Sequence, residues 1–366
     1  MLHPTSNDLL LALFQKGIDH AVIPIWHSAL SGSSISKSLS VKRTLLFTVL
    51  ILAISQVEAK VIFVTVGGAG NGTSWATAMG GLHRALEMAQ AGDQIWVSKG
   101  TYRTADNNDR SRSFVLKAGV ALYGGFAGFE TSIDQRNLLD NITYLSGEIG
   151  TSSLQDNAFT VVFCINVGDK AVVDGFYITG GAANGSDEAQ HLEFRGAGMI
   201  NLATDGQSSS PSIRNCTITR NYAREGAGML NLAMKKGACE PAISHCSFIN
   251  NKADLDGGAI MNISIDGNCS PEITDCLFEV NVASYGAGIF NEPRGGSVSP
   301  VIRSNIFKNN KAMVRSGSIH NEYSSDGSCQ PVIGSNYFEG NTASVGQEKN
   351  SSATQKAKDD NPAGYK

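Results

Sequence analysis

Hydrophobic and polar positions in the second half of the chain repeat about every thirty residues. Apolar residues occur there in steps of two or in short runs, broken by glycine and proline, without the i, i+3, i+4 spacing of an amphipathic helix. Five glycine-rich segments end in asparagines that lie 30, 31, 29 and 30 residues apart: Asn201, Asn231, Asn262, Asn291 and Asn321. A period kept over five units indicates stacked units that bury their apolar faces against one another.

A second asparagine follows the apolar run of each repeat: Asn221, Asn251, Asn281, Asn310 and Asn341. Short strands separated by turns, at about one strand per third of a coil, predict an all-β fold, a right-handed parallel β-helix. Equivalent residues then lie above one another at the strand spacing of about 4.8 Å. We therefore expect both series of asparagines to form ladders in which each amide bonds to its copies in the neighbouring coils.

The seven cysteines follow the same period. Three lie five residues after a repeat proline and three lie two residues before one, while the seventh is Cys164: Cys216, Cys246, Cys276; Cys239, Cys269, Cys329. A metal centre is poorly supported because there is no CxxC pair. We expect buried, stacked, free thiols. Disulfides within a coil, Cys239–Cys246 or Cys269–Cys276, are the alternative in an oxidising compartment.

The repeats define one domain over residues 60–345, with regular coils from residue 196. One segment, MGGLHRALEMAQ, has helical spacing, with Leu82, Ala85, Leu86 and Ala89 on one face. It predicts a short N-terminal helix that caps the stack and protects its unpaired edge. Residues 346–366 are polar and are predicted to form a disordered tail.

Residues 41–59 have the pattern of a secretory signal peptide. Lys42 and Arg43 precede an apolar core from Leu45 to Ile54, and Val57 and Ala59 fit the small-residue cleavage pattern. That core is shorter than the ~20 residues of a membrane-spanning helix. Residues 1–40 lack strand or repeat character and are interpreted as an over-extended leader. We expect a secreted or cell-surface protein, with membrane association only through an uncleaved signal or a missing C-terminal part.

The composition excludes two classes of protein. With 17% charged residues and a formal net charge of −4, the chain is too apolar for global disorder. Its charge is also too balanced for an electrostatic nucleic-acid binder. No clustered carboxylates of the kind that glycoside hydrolases need are recognisable, so no catalytic residue is predicted.

Two sets of residues are candidates for binding. Glu225 and Asp256 precede glycine turns one coil apart, with Asp254 nearby, which suggests a calcium site; a solvated acidic edge is the alternative, and no other cofactor is predicted. The polar segment from Ala182 to Arg195 lacks alternation and is expected to loop off the solenoid. Its candidate ligand contacts are Asp187, Glu188, His191, Glu193 and Arg195, with a solvated loop as the alternative.

Residues 72–103 and 113–137 resemble the N-terminal part of bacterial right-handed parallel β-helix repeat proteins. The GGAI-type and FxxN motifs resemble the repeats of polymorphic outer membrane proteins, and together the resemblance covers residues 60–345. It implies a bacterial protein at the outer membrane or outside the cell, with adhesion suggested for some members. The segment ALEMAQAGDQIWVSKGTY also resembles the opening of alginate- and chondroitin-type lyases.

The resemblance and the long, rigid stack predict an adhesin-like interaction protein whose partner is an extracellular glycan or protein. The fold alone does not fix an activity. The alternative is a polysaccharide lyase or another carbohydrate-active β-helix enzyme. Nucleic acid is not expected as a partner.

Overall fold

The computed structural model describes residues 59–151, 153–185 and 192–345. Every described residue belongs to one compact unit, which begins at Ala59. The predicted leader, the signal peptide up to residue 58 and the predicted tail lie outside the described residues. So do three of the candidate ligand contacts: Asp187, Glu188 and His191. In the described ranges, no helix has both the length and the apolar character that a bilayer crossing requires.

The described chain is a solenoid of about nine turns built from parallel sheets. The predicted right-handed parallel β-helix with a short N-terminal helix is confirmed. One detail of the prediction is wrong: a regular coil has five short strands rather than three. Each repeat makes two additional corners, one before the glycine turn and one before the proline; the first adds a strand of two to five residues and the second a strand of two.

Strands that follow one another in a coil lie in sheets A to E, in that order. Sheet A contains β1 (Val61–Val64), β2 (Gln94–Ser98), β5 (Ala121–Phe126), β8 (Val172–Asp174), β12 (Ser212–Arg214), β17 (Ala242–Ser244), β22 (Glu272–Thr274), β27 (Val301–Arg303) and β32 (Val332–Gly334). Sheet B contains β3 (Gly100–Arg103), β6 (Thr143–Ser146), β9 (Tyr177–Thr179), β13 (Thr217–Thr219), β18 (Ser247–Ile249), β23 (Leu277–Glu279), β28 (Ile306–Lys308) and β33 (Tyr337–Glu339).

The other three sheets complete each coil. Sheet C contains β10 (Ala182–Ala183), β14 (Tyr222–Ala223), β19 (Lys252–Ala253), β24 (Val282–Tyr285), β29 (Lys311–Arg315) and β34 (Thr342–Val345). Sheet D contains β4 (Phe114–Leu116), β7 (Val162–Ile165), β11 (Met199–Ala203), β15 (Met229–Met234), β20 (Ile260–Ile265), β25 (Ile289–Arg294) and β30 (Ile319–Asn321). Sheet E contains β16 (Ala238–Cys239), β21 (Asn268–Cys269), β26 (Ser297–Val298) and β31 (Ser328–Cys329).

The N-terminal helix α1 (Leu82–Met88) lies between β1 and β2 in the chain. Its buried residues are Leu82, Ala85 and Leu86, the face that the sequence predicts, and the helix packs against β1 and β4. Two short 3-10 turns, Trp75–Thr77 and Ile133–Gln135, lie in connections of the first coils. The apolar face of α1 therefore closes the core at the start of the stack.

The main core is made of columns of identical or similar side chains. Phe248, Phe278 and Phe307 point inward from sheet B with ring centroids 5.1 and 4.5 Å apart and nearly parallel planes. Two smaller clusters fill the corners, one of alanines beside sheet C and one of alanine, cysteine and valine between sheets D and E. Each buried Phe contributes roughly 1.5–3 kcal/mol by leaving water, so the columns supply much of the stability of the stack.

Two asparagine ladders run along the solenoid, one within sheet D and one at the corner that follows sheet B. In sheet D, the Nδ2 of Asn201 donates to the Oδ1 of Asn231 at 2.7 Å, and bonds of 2.8 Å continue the ladder to Asn262, Asn291 and Asn321. After sheet B, the corresponding bonds between successive members measure 3.1, 3.1, 2.9 and 2.9 Å and connect Asn221, Asn251, Asn281, Asn310 and Asn341. These amides satisfy one another where water is excluded, except at the first member of the sheet D ladder, where the buried Oδ1 of Asn201 has no hydrogen-bond partner.

A third, shorter ladder was missed by sequence reasoning. The Nδ2 of Asn305 donates to the Oδ1 of Asn336 at 3.0 Å, and the Oδ1 of Asn305 accepts from the backbone N–H of Cys276 at 2.9 Å. In the earlier coils this corner position is occupied by cysteines. Because the residue type changes along the column, the sequence shows no continuous series there.

All seven cysteines lie in the described ranges and all are free thiols. Cys239 and Cys269 are register partners of β16 and β21, and Cys246 lies between the thiols of Cys216 and Cys276. Burial raises the pKa of Cys246 and of Cys269 well above the ordinary value. The thiols are therefore stacked along the solenoid as the period predicts.

Candidate functional site

A column of polar residues lies where each coil passes from sheet C to the glycine turn. The backbone of Glu225 forms an isolated parallel β-bridge with that of Arg195, and the backbone of Asp256 forms one with that of Tyr285. The backbone N–H of Gly226 donates to the carbonyl oxygen of Asp256 at 2.8 Å, which places Glu225 and Asp256 in neighbouring coils. The column continues to Arg315 in the last described coils, since the N–H of Gly286 donates to its carbonyl at 3.2 Å.

Arg195 and Glu225 form a nearly buried ion pair. The Nε of Arg195 lies 2.6 Å from the Oε2 of Glu225, and the two side chains are 15% and 8% exposed. The guanidinium also lies 4.6 Å from the ring centroid of Phe194. Arg195 is thus part of the coil and not of a loop that leaves the solenoid.

The excursion predicted from Ala182 to Arg195 is shorter than expected at both ends. Ala182 and Ala183 form β10, and the backbone oxygen of Glu193 accepts from the N–H of Gly185 at 3.0 Å, which closes the base of the excursion. Alternation was not recognisable there because both residues of β10 are buried alanines. The ligand-contact role of this segment stays a prediction.

Asp256 is half-buried on this surface, and the pKa of its carboxyl group lies far above the ordinary value. Burial, followed by the charges of Glu225 and Glu292, raises its pKa to about 7, while Arg294 acts in the opposite direction. Arg294 itself holds Glu292 through two hydrogen bonds of 2.7 Å, from Nε and from one terminal nitrogen. The carboxyl group of Asp256 therefore titrates near neutral pH.

His320 borders the same surface. Its ring stacks on Phe290 at 5.2 Å, its Nδ1 lies 3.1 Å from the Oγ of Ser316, and its Nε2 lies 3.2 Å from the Oε2 of Glu322. Burial lowers the pKa of His320. We call Asp256, Glu292, Arg294, His320 and Glu322 the Asp256 cluster.

Most of the Asp256 cluster was missed by sequence reasoning. Along sheet D, Glu292 is the register partner of Ile263, so this column changes from apolar to charged between β20 and β25, whereas Phe290 and its partner Met261 are both apolar. The residues whose charges act on Asp256 come from different positions of the repeat, and equal spacing along the sequence does not reveal them. The change from Ile263 to Glu292 within one column is the sequence signal that was available.

Asp254 does not join Glu225 and Asp256. It is exposed and accepts a hydrogen bond from the hydroxyl of Tyr222, which raises the pKa of that tyrosine to about 12. Among the described residues, no group of three His, Cys, Asp or Glu side chains has an arrangement suited to a metal ion. The calcium site stays a prediction, with Glu225 and Asp256 as its neighbouring carboxylates.

A separate depression of about 550 Å³ lies at the corner between sheets E and A. It spans three successive coils, and seven residues line it: Gly168, Asp169, Ser208, Ser210, Ser212, Glu240 and Ala242. The Oγ atoms of Ser208 and Ser210 are 2.9 Å apart, and the Oε1 of Glu240 accepts from the Nδ2 of Asn268 at 2.5 Å. We call this surface the serine depression; none of its residues was predicted from the sequence.

No protein-family model matches the chain, and no curated protein matches it. Among solved structures, the crystal structure of pectate lyase Pel9A is similar, with 13% sequence identity and a TM-score of 0.36. The match covers 73% of this chain and 79% of that one. No catalytic residue of this chain is assigned from that similarity.

Proposed function

We propose that this protein is an exported, adhesin-like interaction protein that binds an extracellular glycan in the serine depression. The supporting observation is that hydroxyl and carboxylate groups from three coils line one open depression with a volume of about 550 Å³. Hydroxyls donate and accept, whereas carboxylates only accept, so the two groups together match the hydroxyl-rich edges of a sugar. The volume lies within the range of about 300–1,000 Å³ that is usual for ligand sites.

The stacking of the coils makes the depression rigid. Ser212 and Ala242 are register partners in sheet A, and the bridge between Ser208 and Ala238 fixes the opposite wall. Groups held by neighbouring strands lose little conformational freedom on binding, which favours affinity. Three coils span about 10 Å at the strand spacing, so the best-fitting ligand is a short stretch of glycan that runs along the solenoid axis.

The proposed export depends on the signal-like residues 41–59 and places the glycan outside a bacterial cell, at its surface or in the medium. No cofactor takes part in this proposal, because the lining groups can bind sugar hydroxyls directly.

Binding of the full-length chain to a glycan array, followed by calorimetry with the best ligand, tests this function. We expect Glu240→Ala combined with Ser212→Ala to reduce affinity at least about tenfold, because two hydrogen-bonding partners are lost. Glu272→Ala is the matched control, since Glu272 is exposed in sheet A but does not line the depression. Unchanged affinity of the double variant would contradict the proposal.

Asp256 favours a second candidate function, that of a polysaccharide lyase. A carboxyl group with a pKa of about 7 is suited to proton transfer at neutral pH, and Arg294 is the neighbouring cation. Incubation with uronate polymers and detection of unsaturated products tests this alternative, with Asp256→Asn expected to abolish turnover. Product formation that survives Asp256→Asn, or no product from any polymer, would count against a lyase at this cluster.

A further inference from the structure

Two cysteines of consecutive coils lie directly above one another in sheet E. The register of β16 and β21 pairs Cys239 with Cys269, and both side chains are fully buried. Neighbouring strands of a parallel sheet are about 4.8 Å apart. Disulfide-bonded cysteines have Cα separations of about 4.4–6.8 Å. The coil spacing therefore holds this pair within disulfide range.

We propose that Cys239 and Cys269 form a disulfide between consecutive coils when the chain folds in the presence of a small-molecule disulfide such as oxidised glutathione. The thiolate of Cys239 attacks the glutathione disulfide, which forms a mixed disulfide and releases one glutathione thiolate. The thiolate of Cys269 then attacks the sulfur of Cys239 and releases the second. One S–S bond is broken and one is formed, and the protons of the two protein thiols pass to the two glutathione molecules.

Within sheet E the two outer neighbours of this pair are not thiols, whereas Cys164, outside that sheet, lies near enough to Cys239 for the two groups to interact electrostatically. The bridge between Ser208 and Ala238 aligns Ser209 with Cys239, and Val298 is the register partner of Cys269 on the other side. In the other column, Cys246 has a thiol on each side, so a bond to either one leaves the other unpaired. Cys239 and Cys269 are thus the adjacent thiols of their column, and the third thiol of that column, Cys329, lies one coil farther on, beyond Val298.

The within-coil alternatives fit the structure less well. Cys239 packs in the corner cluster between sheets D and E, whereas Cys246 packs in the main core. Cys269 and Cys276 are separated in the same way. A bond within one coil would have to connect two different clusters, while the bond between coils stays inside one.

The timing of the reaction follows from the burial of the thiols. The Sγ atoms of Cys239 and Cys269 donate to the carbonyl oxygens of Asn201 and Asn231, at 3.4 Å each, and one thiol must turn away for the bond to form. Burial and the neighbouring Cys239 raise the pKa of Cys269 well above the ordinary value, so little thiolate is present once the coils have closed. The disulfide therefore forms while the chain folds and not after the coils have closed.

Non-reducing peptide mapping tests the proposal. Full-length protein is refolded with or without oxidised glutathione, alkylated and digested with trypsin. Cleavage after Lys236, Lys252 and Arg294 places Cys239 in the peptide 237–252 and Cys269 in the peptide 253–294. We expect these peptides to be linked after oxidative folding and released by reductant. Bonds within a coil would leave the two peptides separate.

Tandem mass spectrometry of the linked peptides identifies the joined sulfurs without any variant. Cys239→Ala should abolish the link, and Cys246→Ala is the matched control that should retain it. The closed loop of about thirty residues should raise the melting temperature of the oxidised protein by roughly 5 °C. A missing link, a link that persists in Cys239→Ala, or a bond between Cys246 and Cys276 in its place would overturn the proposal.

Discussion

Asp256 lies one coil from Glu225, whose charge is already paired with Arg195 at 2.6 Å. Glu225 is therefore paired with a cation, whereas Arg294, the cation that acts on Asp256, is paired with Glu292. This arrangement accounts for the direction in which the pKa of Asp256 moves, because burial and the neighbouring carboxylates all oppose its ionisation.

The contribution of Asp256 to folding stability should fall as the pH rises from about 4 to 7. A carboxyl group whose pKa rises on folding, from its ordinary 3.8 to about 7, binds more protons in the folded than in the unfolded chain over that interval. At pH 8 we expect Asp256→Asn to be more stable than the unmodified chain by about 1–2 kcal/mol, after allowance for solvent screening of this half-buried group.

Urea unfolding at pH 5 and pH 8 measures this effect, and Glu272→Gln, an exposed site in sheet A, serves as the control. An Asp256→Asn protein that keeps the full pH dependence of the parent would show that another group is responsible.

Loss of an inner ladder amide should be costly. Asn251 donates to Ile218 and Asn281 and accepts from Asn221, so Asn251→Ala leaves several buried polar groups without partners. We expect a loss of about 2–4 kcal/mol in the free energy of unfolding.

The matched comparison is Asn341→Ala at the half-buried end of the same ladder, where about 1 kcal/mol is expected because water can replace the amide. Chemical denaturation of both variants gives the difference. Equal losses would mean that burial does not determine the strength of the ladder.

In the phenylalanine column, too, a substitution should cost more stability at a buried position than at a half-buried one. Phe278 is fully buried between Phe248 and Phe307, and Phe278→Ala removes both ring contacts, at a cost of about 3–5 kcal/mol. Phe338 stacks on Phe307 at 5.2 Å but is only half-buried, so Phe338→Ala should cost less than half as much. Unfolding midpoints of the two variants decide the matter, and a larger effect at Phe338 would contradict this packing.

The glycine turn should tolerate no side chain at Gly228. A Cβ there would lie 2.4 Å from the carbonyl oxygen of Ala259 in the next coil, so Gly228→Ala must push two coils apart. We expect a loss of about 2–3 kcal/mol. Gly206→Ala is the control: Gly206 has a positive φ of 72° but open space around it, and the substitution should cost about 1 kcal/mol of backbone strain. Thermal melts that rank the two in the opposite order would be inconsistent with this contact.

The repeat-borne features could be predicted because their evidence is periodic. Asn231 and Asn262 occupy the same position in consecutive units, so the sequence alone indicates that they meet. The network of Asp174, which binds Arg136 at 3.2 Å and Arg214 at 2.8 Å, lies in less regular coils and has no such signature. The serine depression was also invisible, because its shape depends on how small residues of three different coils align at one corner.

The direction of the hydrogen bonds in the amide ladder has a consequence for how the number of repeats can change in evolution. Each inner asparagine donates to the following coil and accepts from the preceding one, so every inner coil presents the same pair of surfaces to its neighbours. A gene duplication of one thirty-residue unit would insert a coil whose two faces already match those on either side. Length can therefore change during evolution in whole coils, while each retained coil keeps its bonding partners.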